Sequence, residues 1–158
     1  MSPGSPLRPR PGMGRPSAPA HRPGRGRRSR RCGDPPPPRL RQGIEEFNRG
    51  EFFKQHETLE LEWLEETDPV RYLYQGILQV GVGFEHLRRG NPYGARRLWR
   101  RGLGYLEPFR GGCMGVDVDR LIADTERCLA ELERVGDGGL ERFDRTLIPR
   151  VEWLAESG

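Results

Sequence analysis

Two side chains of the kinds that bind metals or move protons stand four residues apart within residues 56–63, HETLELEW. On a helix, His56 and Glu60 share one face, because at 100° per residue they are separated by only about 40°. Five apolar residues fall on the same side of that helix: Phe52, Phe53, Leu59, Trp63 and Leu64. Burying an imidazole and a carboxylate is costly unless they are hydrogen-bonded, paired or bound to a metal. The spacing therefore predicts a buried His/Glu site.

Hydrophobic periodicity predicts that helices position this site, in an all-α bundle of about five helices. The predicted helices cover residues 39–48, 51–66, 69–89, 92–107 and 117–135, and residues 141–158 form a short docking segment. Asp68, Asn91 and Asp117 precede three of these helices as predicted N-caps. Gly76 and Gly83 fall on one face of the third helix, which predicts close approach of a neighbouring helix there.

The third predicted helix carries further polar groups that face the same way: Gln75, Gln79 and His86. A short turn joins it to the second helix, so the two should pack antiparallel. We therefore expect these side chains to meet His56 and Glu60 in one buried cluster.

Four sequence blocks resemble the domain-of-unknown-function family 309 (DUF309) of small bacterial and archaeal proteins. They are FNRGEFF at residues 47–53, HETLELEW at 56–63, YQGILQ at 74–79 and HLRRGNP at 86–92. The hallmark of that family is His, three residues, Glu, two residues and then Trp or Tyr, which His56, Glu60 and Trp63 meet. The resemblance covers about residues 40–135. It implies a helical fold without an established activity, and metal binding has been suggested for the motif.

Three hypotheses about the cluster stay open at this stage, and the third is a metal-independent ligand-binding or catalytic pocket. In the first, His56 and Glu60 bind a divalent metal such as zinc, manganese or iron, with His86 as the third ligand. Glu57 would then be a further ligand or a base, Gln75 and Gln79 would orient the ligands, and Trp63 would close the pocket. A metal-dependent hydrolase is a minor variant of this hypothesis, and no catalytic residue is assigned. In the second, the cluster is a hydrogen-bond network that fixes packing in a non-catalytic interaction or scaffold protein.

Charge divides the chain into two parts. Residues 1–38 hold eleven prolines, nine arginines and one acidic residue, a net charge of +8, whereas residues 39–158 have a net charge of −4. The first part is predicted to be a disordered tail, and residues 39–140 a helical domain. The tail and an arginine face on the fourth helix are candidates for binding nucleic acid or an acidic protein. The tail could instead be a targeting segment or a dispensable extension, and the arginine face could be an ordinary solvated surface. That face comprises Arg96, Arg97, Arg100 and Arg101.

The cysteines and the hydropathy of the chain indicate the cellular compartment in which the protein is expected. Cys32, Cys113 and Cys128 are odd in number and lack metal-ligand spacing, which favours free thiols in a reducing cytoplasm. The longest apolar-leaning run has 13 residues, too few to cross a bilayer, which needs about 20. The sequence is also compatible with a homo-oligomer, but it does not identify one.

Overall fold

The computed structural model describes residues 28–155, and within them five α-helices carry the fold. These helices are α1 (Pro38–Asn48), α2 (Phe52–Glu65), α3 (Arg71–Arg88), α4 (Pro92–Leu106) and α5 (Val118–Val135). Short 3₁₀ turns stand at Arg30–Gly33, Glu107–Phe109, Asp137–Arg142 and Arg145–Leu147. Within residues 28–155 the only β-type pairing is a pair of isolated bridges around Val116. The all-α prediction is confirmed.

Local sequence explains where the helices start. Pro38 and Pro92 occupy the first turns of α1 and α4, where a missing N–H costs nothing. The side chains of Asn91 and Asp117 accept hydrogen bonds from Gly94 N and Arg120 N, as predicted for N-caps. Asp68 behaves differently, because it accepts from Val70 N within the turn that precedes α3, and the helix itself begins at Arg71.

A row of aromatic rings runs through the core. Phe47 of α1 meets Phe52 edge to face, Phe52 meets Phe84, and Phe84 lies 4.8 Å from Trp99 between ring centroids. Phe143, which follows α5, packs on the far side of Trp99. These rings tie α1, α2, α3, α4 and the C-terminal segment into one apolar core.

Helix α3 lies between α2 and α4, and glycines let it approach both neighbours. A Cβ at Gly76 would overlap the Leu106 side chain of α4, and one at Gly83 would overlap the Trp99 ring. On the opposite flank, a Cβ at Gly81 would overlap the amide of Gln55 from α2. The predicted close approach at Gly76 and Gly83 is confirmed.

The segment before α1 differs from the expected tail. Residues 1–27 lie outside the described residues, but Arg28 donates to the carbonyls of Arg110 and Gly112. Ser29 and Arg31 bond to Asp68 and Glu66 at the α2–α3 turn. Residues 28–34 therefore join that turn to the glycine-rich loop that precedes α5.

A disulfide bond between Cys32 and Cys113 fixes the same segment. The expectation of three free thiols is wrong for this pair, and Cys128 alone is free and buried. Disulfides persist mainly in oxidising compartments, so the predicted cytoplasmic location stays a prediction. No helix within residues 28–155 is long and apolar enough to cross a membrane.

The C-terminal segment packs along α1 and the glycine-rich loop. The Asn48 side chain accepts from Val151 N and donates to Val151 O, at 2.7 and 3.1 Å. Glu152 O accepts from Asp117 N, and Leu154 N donates to Gly115 O. Residues 151–154 are therefore held by backbone pairing on one side and by one asparagine on the other.

Replacing Gly83 with alanine should lower the free energy of unfolding by about 1–3 kcal/mol, because the new methyl group overlaps Trp99. Urea unfolding followed by circular dichroism measures the change. Gly138→Ala is the matched control, since no heavy atom lies within 4 Å of its added Cβ, and it should change stability by less than about 0.5 kcal/mol. Equal stability of the two variants would contradict the close packing of α3 on α4.

Reduction of Cys32–Cys113 should lower the free energy of unfolding by about 2–4 kcal/mol, because the bond restricts the unfolded chain across a separation of 81 residues. Urea unfolding with and without a reductant tests this. A Cys32→Ser chain should resemble the reduced protein and should not respond to the reductant. Titration of three free thiols in the native, unreduced protein would show that the bond is absent.

Candidate functional site

His56 and Glu60 form an ion pair on the outer side of α2. His56 Nε2 lies 3.2 Å from Glu60 Oε1, and the two side chains are 34% and 48% exposed. The hydrogen bond from His56 holds the pKa of Glu60 below its usual value. Any stability gained from the lowered pKa is present above the unfolded-state pKa of about 4.3 and is lost as pH falls through the folded-state value. Solvent screening at this exposure keeps that contribution small.

The expectation that both groups are buried is therefore not met. The buried side of α2 is formed by Phe52, Gln55, Thr58 and Leu59. Its centre is rotated from His56 by about 90° around the helix axis. The sequence interpretation counted Phe53 and Leu64 toward the core, but these side chains are 59% and 57% exposed. Because those two residues lie on the Glu60 side, they moved the predicted apolar face onto the His/Glu pair.

The other predicted polar groups lie on a half-buried stripe of α3 that is open to solvent between α2 and α4. The stripe comprises Tyr72, Gln75, Gln79, Val82 and His86. By helical position, His56, Glu60 and Trp63 border it on α2, and Arg97, Arg101 and Tyr105 border it on α4. We call this surface the open face. It brings the predicted residues onto one side of the molecule, although not into one buried pocket.

An aromatic row crosses the open face at the end near the α2–α3 turn. Trp63 meets Tyr72 edge to face at 5.2 Å between ring centroids, and Tyr72 stacks on Tyr105 at 5.7 Å. The Arg71 guanidinium lies 3.8 Å from the centroid of the Trp63 ring and donates to the Trp63 carbonyl. Burial raises the pKa of Tyr72. Trp63 thus joins three helices through Tyr72 instead of closing a pocket over His56.

The two glutamines at the centre of the open face bond to each other. Gln79 Nε2 donates to Gln75 Oε1 at 2.7 Å, while the buried Gln79 Oε1 has no hydrogen-bond partner among the described residues. Within residues 28–155, neither amide is hydrogen-bonded to His56 or Glu60. The predicted role of Gln75 and Gln79 in orienting the His/Glu pair therefore has no contact to support it.

His86 lies at the other end of the stripe, against the start of α4. Its Nδ1 is 3.2 Å from Asn91 Nδ2, and its ring fills the space that a side chain at Gly94 would need. Burial lowers the pKa of His86, and the charges of Arg89 and Arg97 lower it further. A neutral ring accepts the Asn91 amide and so supports the residue that caps α4.

The structure does not bring the three predicted ligands together into one group. Among residues 28–155, no three His, Cys, Asp or Glu side chains converge as metal ligands. His86 bonds toward α4, where the charges of Arg89 and Arg97 oppose a cation and the charge of Glu85 favours one. Glu57 is exposed and accompanies the pair only by its position on α2. Metal binding at His56 and Glu60 stays a prediction, now resting on two ligands where zinc usually takes three or four.

Sequence reasoning missed the most buried polar side chain of α2. Gln55 has no solvent exposure, and its Nε2 donates to Leu78 O at 3.2 Å across the α2–α3 interface. Its Oε1 has no partner among the described residues. The available signal was Gly81, which makes room for this amide, but a glycine does not reveal which side chain will face it.

Comparison with known proteins bears on α1 to α4. Residues 40–98 match the family model described as domain of unknown function, DUF309. Over these residues the chain is similar to DUF309 proteins. The match runs from α1 through α3 into the first half of α4, a range that contains His56, Glu60 and Trp63. The resemblance inferred from the four sequence blocks is thus confirmed over these residues. No curated protein matches the chain.

Metal analysis of the untagged, full-length protein tests the two-ligand site. Because only His56 and Glu60 converge, we expect well under one equivalent of zinc, manganese or iron after purification. Atomic emission spectrometry measures the content, with His56→Ala and Glu60→Ala as comparison variants. Near-stoichiometric metal that both substitutions remove would contradict this expectation and would restore the metal hypothesis.

Proposed function

We propose that this protein is a non-catalytic interaction protein that binds an acidic protein surface through α4. The supporting observation is a basic ridge of three exposed arginines: Arg97, Arg100 and Arg101. Within residues 28–155, none of them has a carboxylate within ion-pair distance, and Pro92–Leu106 contains no acidic residue. A surface with uncompensated charge attracts a partner of opposite charge and accelerates its encounter.

Other arginines show what a neutralised surface looks like in this protein. On α5, Arg120 and Arg127 both pair with Asp124, and Arg134 pairs with Glu131. On α4 itself, Arg96 pairs with Asp137 and so does not belong to the ridge. The three ridge arginines are thus left available for a partner, while their neighbours are satisfied within the chain.

The partner is better argued as protein than as nucleic acid. Residues 39–158 have a net charge of −4, and the ridge carries only three arginines, so few phosphates would be neutralised. Aromatic side chains accompany the arginines, since Tyr93 is 68% exposed and Tyr105 is half-buried at the edge of α4. Arginine and tyrosine together are typical of protein interfaces. The predicted contribution of the tail falls largely on residues 1–27, outside the described residues.

Amide NMR of the full chain during titration with poly-L-glutamate tests the ridge. We expect shift changes to concentrate on residues 93–105, because the probe supplies carboxylates to the unpaired guanidiniums. In a chain with Arg97→Gln, Arg100→Gln and Arg101→Gln, those changes should fall by at least about tenfold at equal probe concentration.

The matched control replaces Arg120 and Arg127 of α5 with glutamine. These arginines are already paired with Asp124, so the response of α4 should be unchanged. Shift changes confined to residues 1–27, or equal losses in the control and the ridge variant, would refute the proposal. A duplex DNA of similar charge that perturbs α4 much more strongly than poly-L-glutamate would also refute it and would indicate nucleic acid.

A further inference from the structure

The open face separates charge between its two edges. On α2, the edge holds Glu60, and Glu57 lies about 60° further round the helix. Within residues 28–155 Glu60 pairs only with His56, while Glu57 has no ion-pair partner. On α4, the edge holds Arg97 and Arg101, the part of the basic ridge that borders the α3 stripe. One flank of α3 is thus acidic and the other basic, with the uncharged glutamines and Val82 between them.

Apolar side chains accompany these charges. Phe53 and Leu64 are more than half exposed on α2, and Tyr93 is 68% exposed on α4. The rings of Trp63, Tyr72 and Tyr105, which contact one another in a row, are only half-buried. Aromatic and aliphatic groups left exposed on one surface are typical of a contact surface.

We infer that the open face is the interface of a symmetric homodimer, in which α2 of each copy packs on α4 of the other. The inference rests on the proposed function, because it identifies the acidic partner of α4 as a second copy of this chain. In a two-fold dimer the same surface is used twice, so it must be complementary to itself. An open face with one acidic and one basic edge meets that condition.

Charge selects one orientation of the two-fold axis. If the two-fold axis lies in the interface and runs perpendicular to α3, α2 of one copy faces α2 of the other. The two acidic edges then repel each other. If the axis runs along α3, α2 of one copy opposes α4 of the other and both edges are satisfied. In the second arrangement the α3 stripes of the two copies also face each other across the two-fold axis.

The positions of residues along the helix axes agree with a two-fold axis that runs along α3. Gln55 of α2 and Trp99 of α4 donate to neighbouring α3 carbonyls, at Leu78 and Val80, so the two residues lie at a similar height. Two residues further along each helix stand Glu57 and Arg101. Because a two-fold axis along α3 leaves the height of each residue unchanged, Glu57 comes to the same height as Arg101 of the partner subunit.

The size of the open face suits a stable dimer. Helix α3 has 18 residues, and with neighbours about 10 Å away on each side the face measures about 27 by 30 Å, or roughly 800 Å² per copy. That area matches the usual contribution of one partner to a specific protein interface. Interfaces of this area range from micromolar to picomolar affinity, so dimers should be populated at protein concentrations of about 100 μM.

Sedimentation velocity on the full chain with exchanged charges tests the inference. The wild-type chain should sediment as a dimer of twice 18.1 kDa and should dissociate as salt screens the edges. A chain with Glu57→Arg and Glu60→Arg, and another with Arg97→Glu and Arg101→Glu, should each dimerise at least about tenfold more weakly. An equimolar mixture of the two should form a heterodimer, because each basic edge then meets an acidic one.

Two controls separate this result from misfolding and from general charge effects. Thermal unfolding should be alike for the two exchanged chains, and combining all four substitutions in one chain should restore the homodimer. Glu126→Arg with Glu133→Arg on the exposed side of α5 should leave the dimer intact. A mixture that stays monomeric, or exchanged chains that dimerise like the wild type, would overturn the inference.

The outcome is distinguishable from failure of the proposed function. A wild-type chain that is monomeric at about 100 μM, with poly-L-glutamate still perturbing α4, overturns the dimer and leaves the acidic partner of α4 to be another protein. A chain with Glu57→Gln and Glu60→Gln lacks the acidic edge, so its α4 is open to the probe whether or not the wild-type chain dimerises. If poly-L-glutamate does not perturb α4 of that chain, the proposed function itself is overturned.

Discussion

The fold depends on how closely α3 approaches its two neighbours. Glycines on opposite flanks of α3 remove the side chains that would hold α2 and α4 away, and a large group fills each space: the Trp99 ring at Gly83 and the Gln55 amide at Gly81. Both groups then bond to α3 carbonyls, so the contacts are specific in register as well as close. Glycine within a helix costs about 1 kcal/mol relative to alanine, and the packing of buried aromatic rings more than offsets that cost. Because α2 and α4 flank α3 in this way, one stripe of α3 stays open to solvent, and the predicted polar residues lie along it.

Sequence patterns predicted the helices well because their signals are local. Proline at the first turn, asparagine or aspartate at the cap and glycine after the last turn act within a few residues, and α1, α4 and α5 begin as these signals require. The close approach at Gly76 and Gly83 was also predictable, since two glycines on one helix face weaken the helix unless a neighbour packs against them. The partner of each glycine was not predictable, because it depends on how three helices pack together. Nothing in the sequence near Gly81 indicates that Gln55, 26 positions earlier, would meet it.

The candidate site shows where periodicity fails. A helix with a single apolar stripe reveals its buried side, but α2 has apolar residues on two sides, with Phe52 and Leu59 buried and Phe53 and Leu64 exposed. When the directions of the two apolar stripes are averaged, the predicted buried side falls between them, at His56 and Glu60. The error is therefore informative, because it arises from an exposed apolar stripe that a helix serving only its own core would not need. The cysteines failed for a different reason: the Cys32–Cys113 bond links positions 81 apart, and composition alone assigned Cys32 to a disordered tail.

Electrostatics distinguishes the two histidines that the sequence grouped together. His56 lies beside a carboxylate on a helix with four acidic residues, whereas His86 of α3 lies near Arg89 and Arg97 as well as Glu85, against the start of α4. A cation is favoured near the first histidine, whereas charges of both signs act on the second. The separation of charge also supports the proposal that the partner is a protein. The open face has an acidic edge on α2 and a basic edge on α4, and it is complementary to a partner surface with a basic edge facing α2 and an acidic edge facing α4. A second copy related by a two-fold axis along α3 presents that order by symmetry, without any further property of its surface.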